Sequence, residues 1–242
     1  GMLIMTGSMT ANSVWAGSMG HFSVITMIVF MILNYALLQT GVIDKVCNWF
    51  ITRKIVHSRP YMFLAMFFAS NIIIGMFMEN LSLAVIYVGI AEVLCKKLGL
   101  KKGDSMYACM FMGIMWVDVV ISIASPIAHA PCLILMGMMS AQLGIDVSYT
   151  QWFAIGIPFA IIMFVVIMIA VRFWKPDVTA YNNYDVEAER RNAPRLDLRG
   201  KISVVVFLLA IALIILPEAL REFSEYRMLV YAIVLILVMQ AT

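Results

Sequence analysis

The stretch YMFLAMFFASNIIIGMFMENLSLAVIYVGIAEVLC, Tyr61 to Cys95, decides the fold. Its 35 residues hold only two charges, Glu79 and Glu92, and Glu79 stands beside Asn80 near the middle. One membrane crossing takes about 20 apolar residues and two take about 40 plus a turn, so the run is too long for one and short for two. It predicts a re-entrant hairpin, which enters and leaves the bilayer on one side and carries a polar tip to membrane depth.

Working outward, the composition fits that setting. Hydrophobic residues make up 63% of the 242, charged residues only 13%, and mean hydropathy is +0.96. Soluble globular chains carry about 25% charged residues. Further apolar runs lie at 21–43, 106–140, 152–174, 202–217 and 228–242. All are expected to be helical: hydrocarbon leaves no backbone group free, and runs such as Ile161 to Val171 lack the alternation of barrel strands. The fold class is thus a polytopic all-α membrane bundle. The first basic residue is Lys45, which argues against a cleaved signal peptide. The abrupt ends, Gly1 to Gly17 and Gln240 to Thr242, read as those of a fragment, which by itself would not transport.

Basic residues orient the spans, because short Lys/Arg-rich loops stay cytoplasmic. Loop 53–59 holds Arg53, Lys54 and Arg59, and loop 96–104 holds Lys96, Lys97, Lys101 and Lys102. With both cytoplasmic, the hairpin between them crosses an even number of times, and zero suits its length. Loop 140–151 has Asp146 and no Lys or Arg, and is expected outside; 172–201, with seven basic residues, returns to the cytoplasm. A plasma or inner cell membrane is the expected location. Residues 1–60 read as scaffold helices ending in an amphipathic interfacial helix, Ile43 to Val56, that braces the hairpin. Residues 61–174 form the transport unit, 175–200 a solvated cytoplasmic linker, and 201–242 the first helices of a second unit. The cysteines, Cys47, Cys95, Cys109 and Cys132, lack metal-like spacing and read as packing residues. The 21 methionines form no array and read as apolar filler.

A second irregularity follows the hairpin. Met106 to Ile121 reads as an ordinary helix, but Ser122-Ile-Ala-Ser-Pro-Ile-Ala-His-Ala-Pro-Cys132 places Pro126 and Pro131 five residues apart. Each proline removes a backbone donor and clashes with the preceding turn. The carbonyls so freed are tolerated at membrane depth only against protein or a water-filled cavity. A broken helix beside a re-entrant hairpin is the architecture of ion-coupled secondary transporters, where half-helix N-termini face anions and unwound carbonyls hold cations.

The order of features and several strings resemble the divalent anion:sodium symporter family of the ion transporter superfamily, over most of the chain. Leu38 to Val46 resembles the family's scaffold-helix end. Glu79-Asn80-Leu81 stands at its Ser-Asn-Thr hairpin signature, Ser122 to Cys132 resembles its Gly-Ile-Ala-Thr-Pro-Ile-Gly-Thr-Pro-Pro-Asn break, and Gln151-Trp152 through Pro158 resembles the Trp-x-x-x-Gly-x-Pro opening its next helix. The chain departs at Glu79, Leu81, Ser125, Ala128, His129 and Cys132. The resemblance implies one repeat of an inverted-repeat transporter, a homodimer when full length, substrate or sodium contact at Asn80, and a sodium site near Asn80 and Ser125. Ser82 stands in for the missing hairpin hydroxyl.

Charged residues at depth add further candidates. A carboxylate there is costly and normally faces the bundle interior or a water path, so Glu79 reads as a cation or proton site; alternatively the tip reaches the outer surface and Glu79 is hydrated. His129, inside the break, could bind an anion, accept protons, or be a hydrogen-bonded structural residue. Asp118 lies about 16 Å from it if the helix is continuous, which argues against a direct pair. Ser122 and Cys132 are secondary candidates.

No enzyme motif, phosphate loop or nucleic-acid feature occurs, and no cofactor is expected beyond the coupling ion, sodium or proton. The sequence therefore reads as a secondary transporter of a small anion such as a di- or tricarboxylate. The rival readings are a cation/proton antiporter using Glu79 and Asp118, and a non-transporting membrane scaffold.

Overall fold

The computed structural model describes residues 5–8, 10–17, 35, 37–56, 59–184, 186–191 and 197–215. The expected span 228–242 and most of 21–43 lie outside the described residues. Among the described residues the chain is helical and has no strand.

After a short helix α1 (Ala11–Gly17), Gly41 takes a left-handed φ of 65° and turns the chain into α2 (Val42–Ile51). This helix buries Val42, Ile43, Cys47 and Ile51 along one face and leaves Asp44 and Trp49 exposed, so it is amphipathic. It packs on the first hairpin arm. Burial pushes the Cys47 thiol up to about 12, so it stays protonated and inert, the behaviour of a packing residue. Ser70 Oγ lies 3.8 Å from its sulfur and 2.9 Å from Tyr87 Oη, which links the brace to both arms.

The hairpin itself is two helices, α3 (Pro60–Gly75) and α4 (Asn80–Lys97), joined by the turn 76–79. Pro60 opens α3 because a first-turn residue has no use for an N–H, and Lys96 and Lys97 close α4 where cations suit the carbonyl end. At 16 and 18 residues the arms measure about 24 and 27 Å. Next come α5 (Ser105–Ala124), α6 (Ala130–Met138) with a π-helical turn at Met139–Leu143, and α7 (Tyr149–Trp174). Ser148 starts α7 with a reciprocal capping box: its hydroxyl accepts from Gln151 N, and the Gln151 side chain accepts from Ser148 N. Among the described residues two helices are long and apolar enough to cross a membrane, α5 and α7.

Helix α5 is the hub, with α3, α4 and α7 packed around it. It can be the hub because of its small residues. Gly113 meets the ring of Phe68, and a Cβ there would overlap the ring outright. Met106, Cys109, Met110, Ile114, Val117 and Ile121 fill the rest of the contact.

The linker differs from the solvated connector expected of its charge. Residues Thr179–Asn183 form a 3-10 turn, Tyr181 is 2% exposed, and its hydroxyl donates to Val56 O at 2.8 Å. Tyr181 and Tyr184 lie against Phe63, and Val186 of α8 (Val186–Arg191) is buried near α2. Burial pushes the Tyr181 hydroxyl up to about 12, so it remains a donor at neutral pH. Three apolar side chains in a charged segment supply the burial that holds it. The Arg172 guanidinium sits 4.7 Å from the Tyr61 ring, and Asp177 N donates to Ser105 Oγ, so the basic loops gather at one end of the bundle. Beyond the linker, α9 (Leu198–Ile215) covers most of the run expected at 202–217.

We expect Gly113→Leu to cost about 1–3 kcal/mol by overpacking. Adding Phe68→Ala should recover part of that loss, read as the thermal midpoint in detergent. Strictly additive losses would mean that the two positions do not touch.

Candidate functional site

The turn at the tip of the hairpin and the gap between α5 and α6 meet. Helix α5 stops at Ala124, residues 125–129 are non-helical, and α6 resumes at Ala130 with a proline in its first turn. Ser125 is fully buried. Its hydroxyl donates to Met76 O at the tip and accepts from Ile127 N at 3.2 Å and Ala128 N at 3.4 Å. Asn80 N donates to Ala128 O at 3.0 Å, a second tie between tip and gap.

Three of the last four carbonyls of α5 meet donors. Ile121 O takes Ser125 N, Ser122 O takes the Cys132 thiol at 3.2 Å, and Ile123 O takes the Trp152 indole N–H at 3.1 Å. Ala124 O abuts Gly156 of α7, where any side chain would collide with it. A helix break costs several kcal/mol per unmet group in hydrocarbon, and these three donors remove that cost for Ile121, Ser122 and Ile123.

Above the junction lies a cavity of about 590 Å³. Its walls include the first turn of α4 (Glu79, Asn80, Leu81, Ser82), the start of α6 (His129, Ala130, Pro131) and Asp118 of α5. Glu79 caps α4: Oε1 accepts from Leu81 N at 3.1 Å and Oε2 from Ser82 N at 2.8 Å. The Asn80 side chain is 8% exposed and makes no hydrogen bond to protein among the described residues, although it lines the cavity. No Lys or Arg lines the cavity among the described residues, and no group of three His, Cys, Asp or Glu there is set to hold a metal ion.

Of the residues singled out from sequence, Glu79, Asn80, Ser82, Asp118 and His129 come together around this cavity. The break lets Asp118 and His129 face one space without a direct bond between them. Ser125 lies beneath, its hydroxyl fully engaged, and positions the tip instead of lining the cavity. The Cys132 thiol donates to Ser122 O across the break, and the Ser122 hydroxyl turns back to Val119 O. Sequence reasoning missed the roles of Trp152 and Gly156. The Trp-x-x-x-Gly spacing was visible, but their partners, Ile123 O and Ala124 O, lie about thirty residues away.

Helices at membrane length, a gap in one of them and a cavity at that gap define a helical membrane protein built around a buried site. Residues 2–241 match the sodium:sulfate symporter transmembrane region, and the chain belongs to that family. It is accordingly a sodium-coupled anion transporter, set in a membrane and acting on a small anion. Comparison with curated proteins gives no match.

We expect Ser125→Ala to cost more than Trp152→Phe, because it unties three bonds at the junction against one, each worth about 1 kcal/mol net. Thermal midpoints of the two variants in detergent check the order.

Proposed function

We propose that the cavity between the hairpin tip and the broken helix is one half of a site for sodium-driven symport of a small carboxylate or oxyanion, the resemblance pointing to di- and tricarboxylates. The observation that carries this reading is the convergence of two helix N-termini, α4 and α6, on a cavity that also holds the unpartnered Asn80 side chain. A helix N-terminus carries partial positive charge; that of α4 is already capped by Glu79, while that of α6 has no side-chain cap and so favours an anion without a cationic side chain. Asn80 offers both a donor and an acceptor, the acceptor for sodium and the donor for the anion.

In this reading α3 and α4 form a re-entrant hairpin. Arms of about 24 and 27 Å fall short of the roughly 30 Å hydrocarbon, which supports that geometry. The gathered basic loops lie on the cytoplasmic side, and the full transporter is multi-pass and dimeric. Cation/proton exchange is the second reading, favoured by Glu79 and Asp118 in a cavity without Lys or Arg.

The test is uptake of radiolabelled succinate, butyrate or sulfate by the full-length protein in proteoliposomes under a sodium gradient, a proton gradient or neither. We expect sodium-driven uptake of at least one of these anions, with most of it lost in Asn80→Ala. Anion uptake that ignores the sodium gradient, or sodium/proton exchange without anion uptake, would overturn the symport reading.

A further inference from the structure

The structure gives the Glu79 carboxylate a definite place. Both of its oxygens are bonded to backbone N–H groups of the first turn of α4, at 3.1 and 2.8 Å, and the residue lines the cavity. Those N–H groups and the positive end of the helix are the features that would receive a bound anion. The position at α4 is therefore filled by an anion the chain supplies itself. Asn80 next to it is more than nine-tenths buried, its side chain makes no hydrogen bond to protein among the described residues, and it lines the same cavity, which marks the space as a ligand site and not a packing void.

We propose that Glu79 is a specificity-determining residue: its carboxylate occupies the anion position at the N-terminus of α4, so that the cavity selects a singly charged anion over a doubly charged one. This rests on the sodium-coupled anion reading above and narrows it. The electrostatic argument is direct. Repulsion between a fixed carboxylate and a bound anion scales with the product of their charges, and a partly desolvated cavity screens it far less than water does. A second charge on the ligand therefore meets the Glu79 carboxylate, with Asp118 on the same wall and no Lys or Arg among the described lining residues to offset it. The N-terminus of α6, opened by His129, Ala130 and Pro131, remains as the place for one anionic group.

The test compares succinate with butyrate, which share a four-carbon skeleton and differ by one charged group. Binding of each to the purified full-length protein is measured by calorimetry at saturating sodium, in the parent protein, Glu79→Ser and Glu79→Asp. Serine caps a helix about as well as a carboxylate does, so the fold is kept while the charge goes. We expect the parent to bind butyrate at least as tightly as succinate. Glu79→Ser should gain about tenfold for butyrate and about a hundredfold for succinate, because the removed repulsion doubles with ligand charge. Glu79→Asp, which keeps cap and charge, should resemble the parent.

Equal gains for both ligands, or no change, would reduce Glu79 to a helix cap. Loss of sodium-dependent binding of both would make it a cation ligand. A parent preference for succinate, or Glu79→Asp behaving like Glu79→Ser, would equally overturn the proposal. If Glu79→Ser does not fold, the isosteric Glu79→Gln is read by the same criteria. Failure of the symport reading is distinct: the parent would then bind neither anion in a sodium-dependent way.

Discussion

The Ser125 hydroxyl is the point on which the site depends. It is buried completely, donates to Met76 O at the hairpin tip, and accepts two N–H groups of the loop that follows it. One side chain thereby fixes the loop's shape and holds it to an element 49 residues earlier in the chain. Asn80 N to Ala128 O completes the clasp. With tip and gap held together, the first turns of α4 and α6 face one space; apart, they would be two unrelated helix ends.

A gap in a helix at membrane depth survives only if its carbonyls find partners. Here donors come from the break's own far side and from α7, the Cys132 thiol and the Trp152 indole, while the bare backbone at Gly156 makes room for Ala124 O. The last is a matter of space, since only a residue without a Cβ lets α7 approach Ala124 O. The same economy of volume operates at Gly113, where the hub helix admits Phe68 of the hairpin. Close packing with small residues suits a medium in which apolar burial gives little drive between helices.

At the opposite end, the brace and the linker stabilise the hairpin's base. Cys47, Ser70 and Tyr87 connect α2 to both arms, and Tyr181 seals Val56 and Phe63. The charge run around the linker hid this docking, because a few buried aromatic and aliphatic residues decide whether such a segment is held, and composition averages them away.

The amino-acid sequence by itself determined the helical membrane class, the hairpin between Tyr61 and Cys95, the break at Pro126 and Pro131, and the family. The first three follow from local causes, apolar length and missing donors, and the family from the resemblance that strings such as Ser122 to Cys132 carry. It also singled out Glu79 and Asn80, since polar groups in an apolar run stand out regardless of what they touch. Only the tertiary structure decided what each does. It turned Ser125 from a facing ligand into the clasp, gave Cys132 to a carbonyl of the break, and made Glu79 the cap of α4. It also brought Asp118 and His129 to one cavity that a continuous helix would have kept three turns apart. The physical reason is that hydrogen bonds across 10 to 49 residues are settled by which surfaces pack, and no local pattern records that.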